Sequence, residues 1–106
     1  MVTRAEIWLI DFDRPVGSVT QKCWPCVVVS PDEMHEYLNT LLAAPMSTRD
    51  LPAPFRIPVS FMQKDGLILL DQISTVERAR LIRRLGVVDE ETMSKVLDVL
   101  QEVFAL

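Results

Sequence analysis

Residues Gln21–Ser30 read "QKCWPCVVVS", and the assignment of this stretch decides the fold. Its second half, Cys26–Ser30, is a short β-branched run without polar alternation, the pattern of a strand buried on both faces. The stretch also holds both cysteines of the chain as one C-x-x-C, Cys23 and Cys26. A thioredoxin-type dithiol needs its first cysteine at a helix N-terminus, where the backbone dipole stabilises the thiolate. Here Cys26 opens a strand. A zinc site needs four ligands, and beyond the two cysteines the chain has a single histidine, His35. The motif therefore reads as two thiols with no redox or metal role, embedded in β structure.

The flanking segments extend this reading. "AEIWLIDF" (5–12) is rich in strand formers, and "DRPVGSVTQK" (13–22) follows as a loop with Pro15 and Gly17 at its turns. Pro31-Asp32-Glu33 predicts a short helix over 31–38. "TLLAAP" (40–45), "FRIPVSF" (55–61), "GLILLD" (66–71) and "RRLGVV" (83–88) read as further strands. The second of these is placed at a sheet edge, because Pro58 cannot donate to a ladder. From Asp89, a suitable N-cap, the apolar residues Met93, Val96, Leu97, Leu100, Val103 and Phe104 recur at helical spacing. The expectation is a mainly β fold with a C-terminal α-helix, in one domain spanning 1–106.

Composition narrows the classes. The chain has 106 residues, 49% hydrophobic and 25% charged, as soluble globular domains do. No apolar run approaches membrane-helix length. Acids appear too early in "MVTRAEIWLIDFD" for a secretory signal, which points to the cytoplasm. Residues 1–88 are balanced in charge, and the net −4 comes from Asp89, Glu90, Glu91, Asp98 and Glu102 against Lys95. A pI near 4.9 argues against a protein that coats nucleic acid nonspecifically. Arg78, Arg80, Arg83 and Arg84 still form a local basic run, read mainly as a surface paired with Glu77 and the acidic tail.

Taken in order, "AEIWLIDFD", "PVGS", "PCVVVSPDE", "APMST", "PFRIPV", "KDGLILLDQI", "TVERARLIRRLG" and "DEETMSKVLDVL" resemble the MazF/PemK family of toxin endoribonucleases. The order of eight blocks carries the resemblance over nearly the whole chain. It implies a small SH3-like β barrel (MazF/PemK/CcdB-like) with a C-terminal helix, assembled as a homodimer. It also implies cleavage of single-stranded RNA at short motifs without a metal or other cofactor. A cognate antitoxin would neutralise the toxin, and operator DNA would be met only through that antitoxin. The related gyrase poisons act through the end of the last helix, typically with a tryptophan there, whereas this chain ends "EVFAL".

Metal-free RNA cleavage needs a proton acceptor, a proton donor, and charge or hydrogen bonds on the phosphorane oxygens. The resemblance places these on an arginine before the proline of the second strand and on a threonine ending the third. Those slots hold Trp24 and Ser47 here, with Thr48 following and Ser74 where an arginine is common. The family's Asp-Gln pair is present as Asp71 and Gln72. Ser47, Trp24 and Asp71 are thus the candidate catalytic positions. Arg14, Lys22, Thr48, Gln72, Ser74 and Arg80 are the candidate RNA contacts. Ser47 keeps a hydroxyl, but the Trp24 indole is an uncharged donor that cannot shuttle protons at neutral pH. Either another cation compensates, Arg14 among them, or catalysis is attenuated.

Each position also has a structural reading. Trp24 fits a core or interface residue as well as a base-stacking one. Asp71 fits a turn cap, and His35, in a polar helical turn, reads as a solvated surface histidine. The alternative function is a non-catalytic family member that binds an antitoxin or another target.

Overall fold

The structure, a computed structural model, describes residues 1–12 and 22–105. Seven strands form one antiparallel sheet: β1 (Glu6–Asp11), β2 (Cys23–Val28), β3 (Thr40–Ser47), β4 (Arg56–Phe61), β5 (Lys64–Leu69), β6 (Ser74–Glu77) and β7 (Leu81–Val87). Their order is β4-β5-β3-β2-β1-β7, with β6 beside the first half of β3. A short helix α1 (Asp32–Tyr37) links β2 to β3, and α2 (Glu90–Phe104) ends the chain. β4 pairs only with β5, as Pro58 requires of an edge strand. The path curls until its two ends meet, and Gly86 of β7 allows this. A Cβ there would sit 3.2 Å from the Phe61 ring of β4. The result is a half-closed β barrel carrying a C-terminal helix.

Period-2 alternation in β1, β2 and β3 divides the buried residues between two faces. Ile7, Val27, Val29, Ala44 and Met46 face the first core, which Met93 and Val96 of α2 complete. Ile10, Trp24, Cys26, Val28, Leu41 and Ala43 face the second, closed by Val2 and Val76. Burial on both faces is why "CVVVS" carries no polar alternation. Asp89 caps α2 by accepting from the Thr92 amide at 3.3 Å, and hydrogen bonding to the Thr92 side chain and then to this amide holds its carboxyl below the usual range. Val103 and Phe104, expected in the apolar stripe, are exposed instead, because α2 runs past the edge of the core.

Of the boundaries that differ from the sequence reading, two shape the groove described below. β2 begins at Cys23, three residues earlier than the β-branched run, and so contains Trp24-Pro25. The Phe12 amide donates to the Lys22 carbonyl and the Val29 amide to the Leu42 carbonyl, both at 2.9 Å. Even-numbered residues of β2 therefore bond β1, and odd-numbered ones bond β3. Pro25 is the odd position with no N–H to give. The β2–β3 ladder accordingly runs from Val28↔Ala43 to Cys26↔Pro45 and stops. Beyond it, Met46 and Ser47 pair on their other edge with Ile68 and Leu67 of β5. The two strands part at Pro25, and a groove opens between them.

The second difference lies in 66–77. β5 ends at Leu69, a 3-10 turn (Leu70–Gln72) follows, and β6 resumes pairing with β3. β5, the turn and β6 form one kinked ribbon along the edge of β3, and Asp71-Gln72 sits at the kink. Arg56 locks it through Nε to Asp71 Oδ1 at 3.2 Å and Nη2 to Oδ2 at 3.1 Å. Arg56 also donates to the Leu51 carbonyl at 2.9 Å and lies 4.0 Å from Asp50. The loop after β3 is thereby tied to the kink.

Candidate functional site

The parting of β2 and β3 makes a groove of about 410 Å³. Trp24 and Pro25 form one bank; Met46, Ser47, Thr48 and Arg49 form the other. The β4–β5 hairpin closes the end with Phe61, Met62 and Lys64. Met62 (φ 52°) and Gln63 (φ 64°) occupy its two-residue turn, both in the left-handed region that a type I′ hairpin demands. Neither residue is Gly or Asn, so the turn is strained where it borders the groove.

Ser47 is held at the groove from two directions. Its Oγ accepts from the Arg49 amide at 3.1 Å, and the hydroxyl keeps its hydrogen and a second lone pair for other partners. From below, β5 approaches so closely that a Cβ on Gly66 would lie 2.8 Å from the Ser47 carbonyl oxygen. Only glycine fits there. Trp24 is 9% exposed: most of its indole packs in the second core, and the remainder lines the groove. Arg49 and Lys64 bring two positive charges to the lining, and its described residues include no acid. On a chain of net charge −4 this is a local reversal of sign.

The groove thus brings together Trp24, Ser47 and Thr48 of the positions singled out in the sequence. Asp71, Gln72, Ser74 and Arg80 are not among its described lining residues. Asp71 is committed to Arg56, and this hydrogen-bonded pairing holds its carboxyl below the usual carboxylate range. It is a weak base and a strong tether. Ser74 is half-buried and pairs with Ala43 in the β3–β6 ladder. Arg80 is half-buried in a 3-10 turn, and Lys22 is exposed at the mouth of β2. Arg14 lies outside the described residues. Arg49 and Lys64 were passed over in the sequence because a lone cation in a loop or turn carries no signal. Arg49 was nevertheless detectable as the residue following "PMST".

The C-x-x-C runs straight along β2, so its thiols point to opposite faces about 10 Å apart along the strand. Disulfide formation requires Cα atoms within roughly 7 Å. Burial pushes the Cys26 thiol well above its ordinary pKa, away from thiolate chemistry.

Two other expectations are corrected. His35 is 3% exposed, sealed beneath α1 and not solvated. Its Nδ1 lies 2.9 Å from the Val2 carbonyl, which can only accept, so Nδ1 carries the hydrogen. Nε2 then accepts from Ser30 Oγ at 2.6 Å, and Ser30 Oγ in turn accepts from the Leu42 amide at 3.0 Å. Residues 31–38 look polar because α1 is too short to show the one face it buries. Two members of the arginine run, Arg78 and Arg84, are likewise anchored elsewhere than Glu77 and the acidic tail. Arg78 donates to the carbonyls of His35 and Leu38 at the end of α1. Arg84 Nε binds Glu6 Oε2 at 2.9 Å, across the β1–β7 ladder. Burial would raise the Glu6 pKa, but bonds from the Thr3 amide, Trp8 Nε1 and Arg84 together hold it below the usual value.

A half-closed β barrel with a C-terminal helix and an open, largely apolar groove carrying two cations between its second and third strands defines a small SH3-like toxin fold. The chain belongs to the PemK-like, MazF-like toxins of type II toxin-antitoxin systems, a family that matches residues 3–104. It is 29% identical over 112 residues to the endoribonuclease EndoA of Bacillus subtilis, covering 100% of this chain and 97% of that one. It is 33% identical over 88 residues to the endoribonuclease toxin MazF of Escherichia coli K12, covering 82% and 78%. Among solved structures, a mycobacterial endoribonuclease in complex with its cognate antitoxin superposes with a TM-score of 0.82 at 20% identity, over 100% of this chain and 97% of that one. None of the helices among the described residues is long and apolar enough to cross a membrane.

Proposed function

We propose that this chain is a toxin domain that cleaves single-stranded RNA in the groove between β2 and β3, without a metal. The ribose 2′-hydroxyl attacks the adjacent phosphorus, a 2′-O–P bond forms and the P–O5′ bond breaks. The products are a 2′,3′-cyclic phosphate and a 5′-hydroxyl. The described lining of the groove holds no carboxylate or imidazole; in this reading the 2′ proton passes to water and the leaving 5′ oxygen takes a proton from water. The protein's contribution is then electrostatic. Hydrogen bonds from Ser47 and Thr48 and the charge of the groove stabilise the phosphorane, the kind of term that dominates many transition states. The exposed part of Trp24 offers a face on which an unpaired base stacks.

The observation that carries this reading is Ser47. Its hydroxyl is oriented by the Arg49 amide and seated at a cationic groove whose described lining holds no acid, in a family of toxins whose relatives include proteins named as endoribonucleases. In the same reading Asp71 positions the β3–β4 loop through Arg56 and does not transfer protons itself. Lys22, Gln72, Ser74 and Arg80 lie along the path of flanking nucleotides, and the family resemblance adds Arg14 to these contacts. The protein works in the cytoplasm as a homodimer, and an acidic, apolar segment of a cognate antitoxin covers the groove until it is removed.

Trp24 in the slot of an arginine favours a second reading, in which the groove binds an antitoxin or another target without cleaving RNA. One experiment separates the two. Purified protein is incubated with a long single-stranded RNA in excess chelator, and the fragments are mapped. Discrete cuts with 2′,3′-cyclic phosphate ends are expected; intact RNA at every protein concentration would leave the binding module.

A further inference from the structure

We propose that Arg49 holds the scissile phosphate beside Ser47, supplying the positive charge that the family resemblance expects at position 24. This rests on the RNA-cleaving reading above and assigns its missing cation to the loop that follows β3.

Three observations converge on Arg49. The first is position. The described lining contains two cations, Arg49 and Lys64. Arg49 follows Ser47 by two residues, and its amide is pinned to Ser47 Oγ at 3.1 Å, so both side chains leave the same bank from a fixed backbone. Lys64 lies three residues from Leu67, the partner of Ser47 in the β3–β5 ladder, which is about 10 Å along the strand.

The second observation is the disposition of the acids. Asp50 adjoins Arg49 in sequence but stands 4.0 Å from Arg56, and Asp71 is bound to Arg56 at 3.1 Å. Arg56 thus draws both carboxylates to the kink and leaves the Arg49 guanidinium with no acid partner among the described residues. Arg49 is exposed, whereas Arg78 and Arg84 are spent on α1 and Glu6. The third is chemistry. A guanidinium presents paired N–H donors that match two phosphate oxygens at once, which a lysine ammonium does not. Trp24, on the facing bank, then acts on the base and not on the phosphate.

The test compares wild-type protein with Arg49→Ala, Arg49→Lys and, as a charge-matched control on the far helix, Lys95→Ala. All are assayed on one single-stranded RNA substrate in chelator, with and without added guanidinium at a concentration that leaves them folded. Arg49→Ala is expected to lower kcat about a hundred- to thousandfold while KM moves far less. Arg49→Lys should retain part of the rate, and guanidinium should restore part of it to Arg49→Ala alone. The control should match wild type. Cleavage by Arg49→Ala at the wild-type rate overturns the assignment and leaves the endoribonuclease reading standing. A loss that neither lysine nor guanidinium recovers also overturns it, since the effect is then structural. Wild-type protein that cuts nothing overturns both.

Discussion

Two serines of this protein have the same local arrangement and opposite surroundings. Ser30 accepts a backbone amide at 3.0 Å and Ser47 accepts one at 3.1 Å. Ser30 stands beside a histidine and, on paper, looks the more reactive of the two. Yet Ser30 is 1% exposed, and the hydrogen of its hydroxyl is already given to His35. Every donor and acceptor in that cluster is matched: the Leu42 amide, Ser30, His35 and the Val2 carbonyl close a chain that fastens the N-terminus and α1 to the sheet. Ser47, 5% exposed, sits where β2 and β3 part, with Arg49 in the same bank and Lys64 at the hairpin that closes the groove. Chemistry depends on access and unspent hydrogen-bonding capacity, not on residue type. Pro25 provides the access, because a residue able to donate there would let the ladder continue.

The comparison is broken most severely at Trp24, which belongs to the groove bank and to the second core together. Trp24→Ala should cost about 3–5 kcal/mol in chemical denaturation, since an almost fully buried indole leaves a cavity. A loss below about 1 kcal/mol would mean that the indole is a surface platform and not a core residue. His35→Ala comes next, at about 2–4 kcal/mol, because it leaves the Ser30 hydroxyl and the Val2 carbonyl unmatched in a dry site. Its cleavage rate per folded molecule should equal wild type; a large fall would make the sealed cluster chemical after all.

The smallest effect is electrostatic. The Glu6 pKa is depressed in the folded state, so its contribution is complete above the ordinary 4.5 and is lost as pH falls through the lower folded value. Glu6→Gln should therefore be less stable than wild type at neutral pH by about 1 kcal/mol, with the gap closing below pH ~4. Paired melting curves across pH 2.5–7 check this, and a gap independent of pH would contradict it.

Much of the fold was legible because alternation and β-branched runs report burial directly. The strands, the edge position of β4 and the Asp89 cap all follow from local patterns. What stayed hidden depends on partners distant in sequence. β6 has four residues, too few for a period, and is a strand because β3 offers it an edge. His35 is buried by Val2 and Ser30, which a window around 31–38 does not contain. The candidate site was half legible. Trp24, Ser47 and Thr48 were found through the family resemblance, and the structure gathers them in one groove. Arg49 and Lys64 become notable only when the loop after β3 and the hairpin at 61–64 come to line the same space. The basic run at 78–84 was the louder signal, and two of its arginines, Arg78 and Arg84, are occupied in holding α1 and β1.

The central claim is that reactivity resides at Ser47 in the open groove and not at Ser30 beside His35. The most direct measurement is the rate of single-stranded RNA cleavage per folded molecule for Ser47→Ala and Ser30→Ala, side by side at a temperature where both are folded. The account predicts that Ser47→Ala loses about a hundredfold, the value of one transition-state donor, while Ser30→Ala cleaves as wild type does. Loss of cleavage in Ser30→Ala with full activity in Ser47→Ala would contradict it.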